Sequence, residues 1–275
     1  MNSEDTPSLL AIFPIDIHKA AALLEGNEVH PLRLWGDRGA LVITVVNYEV
    51  TDIGRYVEYS IAIACTHGAR PAPRFLPALL TKHYGTGQYV VDLPVSSEVS
   101  VKGGKGIWGM PKHQANLDFV IGKRTVSSQY DLDGQLAVRV EIDRPRFAGF
   151  PVAAAAANYC AFRGLLMKSY VYFRGKGGFN LPFTNSGRLT IGDHQRVAPL
   201  KQLDIADRPV FTAWFPQTAG VLDDHFEAWF LHYEQPPTEV PEGMESVVDL
   251  GQSQEWLEPP NDPALGGEGA PRQPS

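Results

Sequence analysis

A glycine-rich stretch ending at Lys112 contains the residue types best suited to covalent chemistry in this sequence. Residues 101–116 read VKGGKGIWGMPKHQAN, and the four glycines allow the backbone to approach other groups closely. Trp108, Met110 and Pro111 supply an apolar wall immediately before the lysine. Desolvation by apolar neighbours penalises the charged form of a lysine. The neutral amine can attack a ketone and form an iminium, which acts as an electron sink.

Two other interpretations of this stretch need no reactive amine. The GGKG segment is also typical of a surface turn, in which case Lys112 is a solvated charge. A phosphate-binding loop is disfavoured, because GGKG lacks the Walker spacing and the Ser or Thr that follows the Walker lysine. The pattern by itself favours the surface turn, so the chemical interpretation depends on the rest of the chain.

Strand patterns dominate the elements that must position this lysine. Residues 39–48 form an apolar, β-branched run, and residues 55–64 alternate so that Tyr56, Glu58 and Ser60 share one face. Many short strands with few helices favour a β barrel or sandwich over alternating βαβ units. The sequence therefore predicts a mainly β, β-rich α+β fold. Further strands are predicted at 89–93, 115–120, 125–130, 136–142, 170–173, 188–191 and 210–214.

Helix and turn signals are fewer. Asp16 can cap a helix that extends to Leu24. Helices are also predicted for residues 152–162, which are rich in alanine, and for residues 222–230. The pair Asp133-Gly134 predicts a tight hairpin between two of the strands.

The charge distribution divides the chain into a neutral body and an acidic tail. The chain has 275 residues and a net charge of -7, with 44% hydrophobic residues. Residues 236–275 contain eight acids, one base and eight prolines, so they account for the whole net charge. We expect one folded domain over residues 1–235 and a disordered tail, because such a composition cannot compensate the entropy of ordering. Docking of the tail through Trp256 and its neighbours is the alternative.

The same composition limits the partners and the cellular location. A neutral body lacks the basic footprint of a nucleic-acid-binding protein, which favours a small-molecule ligand. No stretch approaches the roughly 20 apolar residues of a membrane span, and residues 1–6 do not resemble a secretory signal. We expect a cytoplasmic protein. Cys65 and Cys160 are predicted to be buried, reduced thiols, and no metal site is expected.

The stretch GKGIWGMPKH resembles the signature of the acetoacetate decarboxylase superfamily, in which a glycine-rich strand ends in aromatic-Pro-Lys and that lysine forms a Schiff base. Residues 54–64 resemble the family's strand with a glycine, an aromatic residue and a glutamate, which places Glu58 on the active-site acid. Residues 131–140 resemble the hairpin after the lysine, and residues 187–200 the late aspartate-rich loop. The resemblance covers about 12–230 and implies a β barrel or cone with a few short helices.

The resemblance implies that Lys112 forms the imine and that Glu58 moves the proton. The resemblance also implies that the lysine is activated by desolvation or by a neighbouring cation, as in acetoacetate decarboxylase. His113 stands where the family has a second lysine. It is either an acid/base group, since the reference pKa of histidine is near neutrality, or a packing residue. Tyr56 is assigned to the pocket wall, together with Trp108 and Met110.

Two family residues that bind or activate the substrate are missing from their expected places. The arginine that should receive the substrate carboxylate falls near Pro14, and a second acid falls near Ile43. Four basic residues are candidates to replace that arginine, with Arg55 included in the predicted substrate site. These candidates are Arg33, Arg38, Arg55 and Lys105.

The sequence therefore predicts a cofactor-independent enzyme that acts on a small keto acid or another small carbonyl substrate. Imine formation with proton transfer supports decarboxylase, aldolase or dehydratase chemistry, whereas strict decarboxylation of acetoacetate is not expected. The alternative is a barrel of the same fold that binds a carbonyl ligand without turning it over. The resemblance also implies a homo-oligomer.

Overall fold

The computed structural model describes residues 2–74, 76–182 and 184–232. In chain order the strands are β1 (Asn2–Glu4), β2 (Ser8–Asp16), β3 (Val29–Pro31), β4 (Arg38–Tyr48), β5 (Val50–Thr51), β6 (Tyr56–His67), β7 (Gly87–Val95), β8 (Lys112–Gln114), β9 (Asn116–Leu117), β10 (Val120–Ile121), β11 (Thr125–Leu132), β12 (Gln135–Asp143), β13 (Phe150–Phe162), β14 (Leu165–Phe179), β15 (Gly187–Ile191) and β16 (Phe211–Phe230). The helices are α1 (Ile17–Ala21), α2 (Leu76–Leu79), α3 (Glu98–Trp108) and α4 (Ala198–Lys201), and residues Gln195–Val197 form a 3₁₀ turn. The mainly β fold predicted from the sequence is confirmed.

The long strands close into a seven-stranded barrel. Their order is β14-β13-β7-β6-β4-β2-β16, and β16 pairs back with β14 to complete the ring. Neighbours are antiparallel except β7 and β13, which pair in parallel at Gln88 and Asn158. Strand β8 also runs parallel to β7 and sets Lys112 beside Leu93. Lys112 therefore lies on a short strand that extends the barrel wall.

Strand β4 buries both of its faces. On β4, Ile43 belongs to the main hydrophobic core, whereas Val42 and Thr44 line the barrel cavity. The outer face packs with a second sheet of order β10-β11-β12-β15, in which β9 pairs with β11. Because neither face of β4 meets solvent, residues 39–48 read as one apolar run instead of an alternating one.

Several local predictions are confirmed. Asp133 and Gly134 have φ values of 52° and 75°, as a type I′ turn between β11 and β12 requires. Cys65 and Cys160 are free and buried, and burial raises the pKa of the Cys160 thiol to about 12. In the part of the chain that is described, no helix is both long enough and apolar enough to cross a bilayer.

The predicted helices at 152–162 and 222–230 are wrong, because these residues belong to strands β13 and β16. Alanine favours helices locally. In the barrel, however, β13 pairs with β14 from Phe150 to Phe162, and β16 pairs with both β14 and β2. Strands β13 and β14 form a hairpin, and its two turn residues, Arg163 and Gly164, have φ values of 52° and 76°. The β16 ladders join residues distant in sequence, so a local pattern does not reveal them.

Two other boundaries also need correction. The helix capped by Asp16 ends at Ala21 instead of Leu24, although the Asp16 side chain accepts hydrogen bonds from the N–H groups of His18 and Lys19 as a cap should. The strand predicted at 115–120 is two short strands, β9 and β10. The tail predicted from residue 236 lies outside the described residues.

Candidate active site

Lys112 forms a short, buried hydrogen-bond network with two side chains. Its Nζ donates to Glu58 Oε2 at 2.7 Å and to Ser100 Oγ at 2.9 Å. The side chain of Lys112 is 6% exposed and that of Glu58 16%. Glu58 comes from β6 and Ser100 from α3, so two elements orient the amine. The structure therefore brings together the lysine and the acid that the sequence predicted.

The glycine-rich segment before Lys112 is a helix, which corrects the expectation of a strand or a surface turn. Helix α3 contains three glycines, each of which disfavours a helix by about 1 kcal/mol, so its local helix signal is weak. The helix ends at Gly109, whose φ of 65° is left-handed. The N–H of Gly109 bonds to the carbonyl of Lys105 at 3.2 Å, as in an αL cap. This cap reverses the chain, so that Lys112 returns to α3.

Gly104 provides the space that the lysine side chain occupies. A Cβ at Gly104 would lie 2.3 Å from Cδ and 2.7 Å from Cε of Lys112. A Cβ at Gly103 or Gly106, in the same helix, would meet nothing within 4 Å. The helix therefore holds Lys112 in two ways: Ser100 accepts a hydrogen bond from the amine, and Gly104 leaves room for the methylene chain one turn later.

Two stacked tyrosines extend the network away from the lysine. The hydroxyl of Tyr56 shares hydrogen bonds with Ser100 and with Tyr48. The two tyrosine rings are stacked with centroids 4.5 Å apart, and Lys112 Nζ lies 5.7 Å from the Tyr56 centroid. Burial, reinforced by the charge of Glu58, raises the pKa of both phenols. These hydroxyls therefore stay protonated and can relay hydrogen bonds at neutral pH.

The network faces a cavity of about 1000 Å³ inside the barrel. Trp108 and Met110 belong to its wall, as predicted, and the indole Nε1 of Trp108 donates to the carbonyl of Asp223 at 2.7 Å. Most of the remaining wall is aliphatic or aromatic, including Leu10, Ile12, Val42, Val171, Phe173 and Leu222. A carbonyl compound that reaches Lys112 would therefore be held mainly by apolar contacts.

His113 lies outside the lining of this cavity, because successive residues of a strand point to opposite faces. Its Nε2 forms a hydrogen bond of 2.9 Å with the hydroxyl of Tyr130, and its Nδ1 lies 3.4 Å from Asp92. Burial, followed by the charge of Arg196, lowers the pKa of His113 to about 4. The imidazole is therefore neutral at pH 7, and its packing favours a structural role.

The structure does not bring Arg55 to the cavity: the residue is exposed, and no arginine is among the described residues that line the cavity. Lys105 is likewise outside that lining. Pro14, at which the sequence resemblance expects the family arginine, is buried on β2. Within residues 2–74, 76–182 and 184–232, no group of three or more His, Cys, Asp or Glu side chains is placed to hold a metal ion.

Sequence reasoning missed Ser100, Gly104 and Tyr48. Ser100 and Gly104 are four residues apart, so they share one face of a helix, and recognition of α3 would have grouped them. Tyr48 and Tyr56 are opposite each other in the ladder between β4 and β6. That pairing depends on the register of two strands, which the sequence alone did not define.

Comparison with known proteins agrees with this architecture. A family model for acetoacetate decarboxylase (ADC) matches residues 3–157, more than half of the chain. No curated protein matches the sequence. The closed barrel resembles that of acetoacetate decarboxylase from Legionella pneumophila, with a TM-score of 0.56 and 12% identity over 80% of this chain and 84% of that one.

Two further solved structures have the same fold. One is an acetoacetate decarboxylase, with a TM-score of 0.59 and 14% identity over 85% of this chain and 90% of that chain. The other is an acetoacetate decarboxylase-like enzyme from Sphingomonas wittichii, with a TM-score of 0.51 and 14% identity over 80% and 91%. The fold is thus that of the decarboxylase-like enzymes. The chain belongs to the acetoacetate decarboxylase family, and the resemblance found in the sequence is confirmed.

Proposed function

We propose that this protein is an enzyme that forms a Schiff base between Lys112 and a small carbonyl substrate, and then breaks or makes a bond next to that carbonyl. The observation that carries the proposal is the buried contact of 2.7 Å between Lys112 Nζ and Glu58 Oε2 at the wall of the barrel cavity. Membership in a family of enzymes with this fold supports it.

The contact provides a route to the neutral amine. Transfer of one proton from Nζ to Glu58 removes both charges of the pair at once. Burial penalises each charge, so the neutral pair is less disfavoured here than it is in water. The hydroxyl of Ser100, which accepts from Nζ at 2.9 Å, keeps the nitrogen in place during this transfer. The amine can then attack a carbonyl carbon that enters from the cavity.

The later steps need a proton carrier at the same place. Attack gives a carbinolamine, and loss of water, with the proton returned from Glu58, gives the iminium. Glu58, again ionised, can then accept a proton from the carbon next to the iminium, which leaves an enamine. The same enamine is formed when that carbon loses carbon dioxide or an aldehyde. Decarboxylation, aldol cleavage or condensation, and dehydration all pass through this intermediate.

A test that needs no knowledge of the natural substrate is proton exchange in deuterated water. We expect the protein to replace the hydrogens next to the carbonyl of simple methyl ketones with deuterium, as followed by proton NMR. The same ketones with Lys112→Ala should exchange only at the rate seen without protein. If the wild-type protein binds the ketones and gives no exchange, the ligand-binding barrel is the better description.

Acetoacetate should be a poor substrate. No arginine is among the described residues that line the cavity, so the carboxylate lacks the planar, two-pronged partner that the family arginine provides. Loss of such a contact in a desolvated site costs on the order of 2–5 kcal/mol, or roughly 30-fold to several thousand-fold in binding. Release of carbon dioxide from acetoacetate should be correspondingly slow. Efficient turnover would show that another cation receives the carboxylate beside Lys112.

A further inference from the structure

A second buried lysine, Lys168, lines the same cavity as Lys112. Among the described residues of the lining, the charged side chains are those of Lys82, Lys112, Lys168 and Glu58. The lining therefore has more positive than negative charge, and Glu58 is already engaged by Lys112. The cavity as a whole is suited to a ligand that has an anionic group as well as a carbonyl group.

Lys168 is held as a cation at a defined position. Its Nζ donates to Glu227 Oε1 at 3.0 Å, and the ring centroids of Tyr170 and Trp229 lie 4.8 Å and 5.8 Å away. Burial works to lower the pKa of Lys168, but hydrogen bonds to Tyr170 and Glu227 raise it overall. The side chain of Lys168 is 11% exposed, whereas that of Glu227 is 52% exposed, so solvent screens the charge of Glu227. The charge of Lys168 is thus only partly compensated.

The two lysines are well separated along the barrel wall. Lys168 pairs with Tyr159, which pairs with Tyr89 on β7, whereas Lys112 pairs with Leu93 on the same strand. Four residues of a strand correspond to a backbone offset of about 13 Å. The carboxylate of a 3-oxo acid is only one carbon away from its carbonyl, which is short against this offset and favours a longer ligand.

Lys168 lies near the side on which the cavity opens. The exposed residues of the lining are Thr81, Lys82, Ala155 and Tyr172. Thr81 accepts a hydrogen bond from the N–H of Thr86, and the nearby Gln88 side chain donates to Asn158, which pairs with Ser169 beside Lys168. Along β7, between the level of Lys168 and that of Lys112, the lining residues Val90 and Leu93 are apolar. A ligand could thus place its charged end near solvent and its carbonyl end in the interior.

We propose that Lys168 is the residue that binds the carboxylate of the substrate, and that the substrate is an oxo acid with an apolar spacer between its carboxylate and its carbonyl. This inference rests on the proposed function, because it assigns the carbonyl end to Lys112. A singly charged carboxylate fits better than a phosphate ester, because Lys168 is the buried cation besides Lys112 in the described lining.

The test compares straight-chain oxo acids of graded length with methyl ketones of the same length that lack the carboxylate. Imine formation is measured as the concentration that half-saturates borohydride labelling. Among the longer compounds, the half-saturating concentration for the wild-type protein should be about ten-fold to thirty-fold lower for the acid than for the ketone, as expected for a buried charge contact. Lys168→Gln should remove this preference and leave the half-saturating concentrations of the ketones unchanged. Lys168→Arg, which keeps the charge, should retain most of it.

Two controls make the result specific to Lys168. Lys176→Gln removes an exposed cation from the same strand and should leave the preference intact. Glu227→Gln removes the acid that competes for Lys168, and it should increase the preference. A preference that survives in Lys168→Gln, or the lack of any preference in the wild-type protein, would overturn the assignment.

A binding measurement separates this inference from the proposed function. Calorimetry with Lys112→Ala compares a saturated straight-chain carboxylate with the alcohol of the same length, neither of which can form an imine. We expect Lys112→Ala to bind the carboxylate more tightly than the alcohol, and the Lys112→Ala/Lys168→Gln double variant to bind both equally. This result supports the role of Lys168 even if no imine is ever trapped. Equal binding of acid and alcohol contradicts it even if imine formation at Lys112 is established.

Discussion

Glu58→Gln should slow deuterium exchange next to a ketone carbonyl by about 10²- to 10⁴-fold, the usual contribution of a positioned acid/base group. The amide has the shape of the carboxylate, and its oxygen can still accept the hydrogen bond that Lys112 Nζ donates at 2.7 Å. It cannot accept a proton from the substrate. The readout is the exchange rate by proton NMR, with ketone concentrations that saturate the protein.

Comparing the effect of Glu58→Gln on the exchange rate with its effect on ketone binding shows whether Glu58 transfers the proton or only helps to bind the ketone. The ketone concentration that half-saturates the protein should change much less than the exchange rate, because the apolar wall of the cavity is intact in Glu58→Gln. Glu58→Asp, which keeps the charge and shortens the side chain, should retain more exchange than Glu58→Gln. Equal rates in Glu58→Gln and the wild-type protein would mean that another group carries the proton.

Gly104→Ala should inactivate the protein, whereas Gly106→Ala in the same helix should not. A Cβ at Gly104 would lie 2.3 Å from Cδ of Lys112, so the lysine has to move. A displacement of about 1 Å in a reacting group can cost about 100-fold in rate. We therefore expect at least about a 100-fold loss of ketone exchange in Gly104→Ala.

Gly106→Ala is the matched control, because its Cβ would meet nothing within 4 Å. Replacing a helical glycine with alanine favours the helix by up to about 1 kcal/mol, so this variant should be as stable as the wild-type protein or more so. Activity should persist, and thermal unfolding of both variants checks that each is folded. Retained activity in a folded Gly104→Ala protein would show that the contact between α3 and Lys112 does not position the amine.

The sequence predicted the fold class and the central pair of the site because both have local signals. The alternation of residues 55–64 placed Glu58 and Tyr56 on one face of β6, and the family motif marked Lys112. Both faces of β4 are buried, so its continuous apolar run also indicated a strand. Boundaries that depend on a cap or a turn, such as Asp16 and Asp133-Gly134, were recognised for the same reason.

The sequence did not reveal features that depend on strand pairing and on packing against other elements. Residues 152–162 look helical because alanine favours helices, yet they form a hairpin with β14, the strand that follows them. Helix α3 was missed for the opposite reason, since its glycines disfavour a helix that packing against Lys112 stabilises. Lys168 was not predicted as a site residue, because it lines the same cavity as Lys112 only when the barrel is closed. The face of β8 on which His113 lies was likewise not evident from the motif.

The most direct measurement of the central claim is the mass of the protein after borohydride reduction in the presence of a carbonyl compound. We expect wild-type protein to gain the mass of the reduced adduct, peptide mapping to place the adduct on Lys112, and Lys112→Ala to gain none. Ser100→Ala, which removes one hydrogen-bond acceptor from Nζ, should still be labelled. Labelling that persists undiminished in Lys112→Ala, or that maps to Lys168 or another lysine, would contradict the assignment of Lys112 as the imine-forming residue.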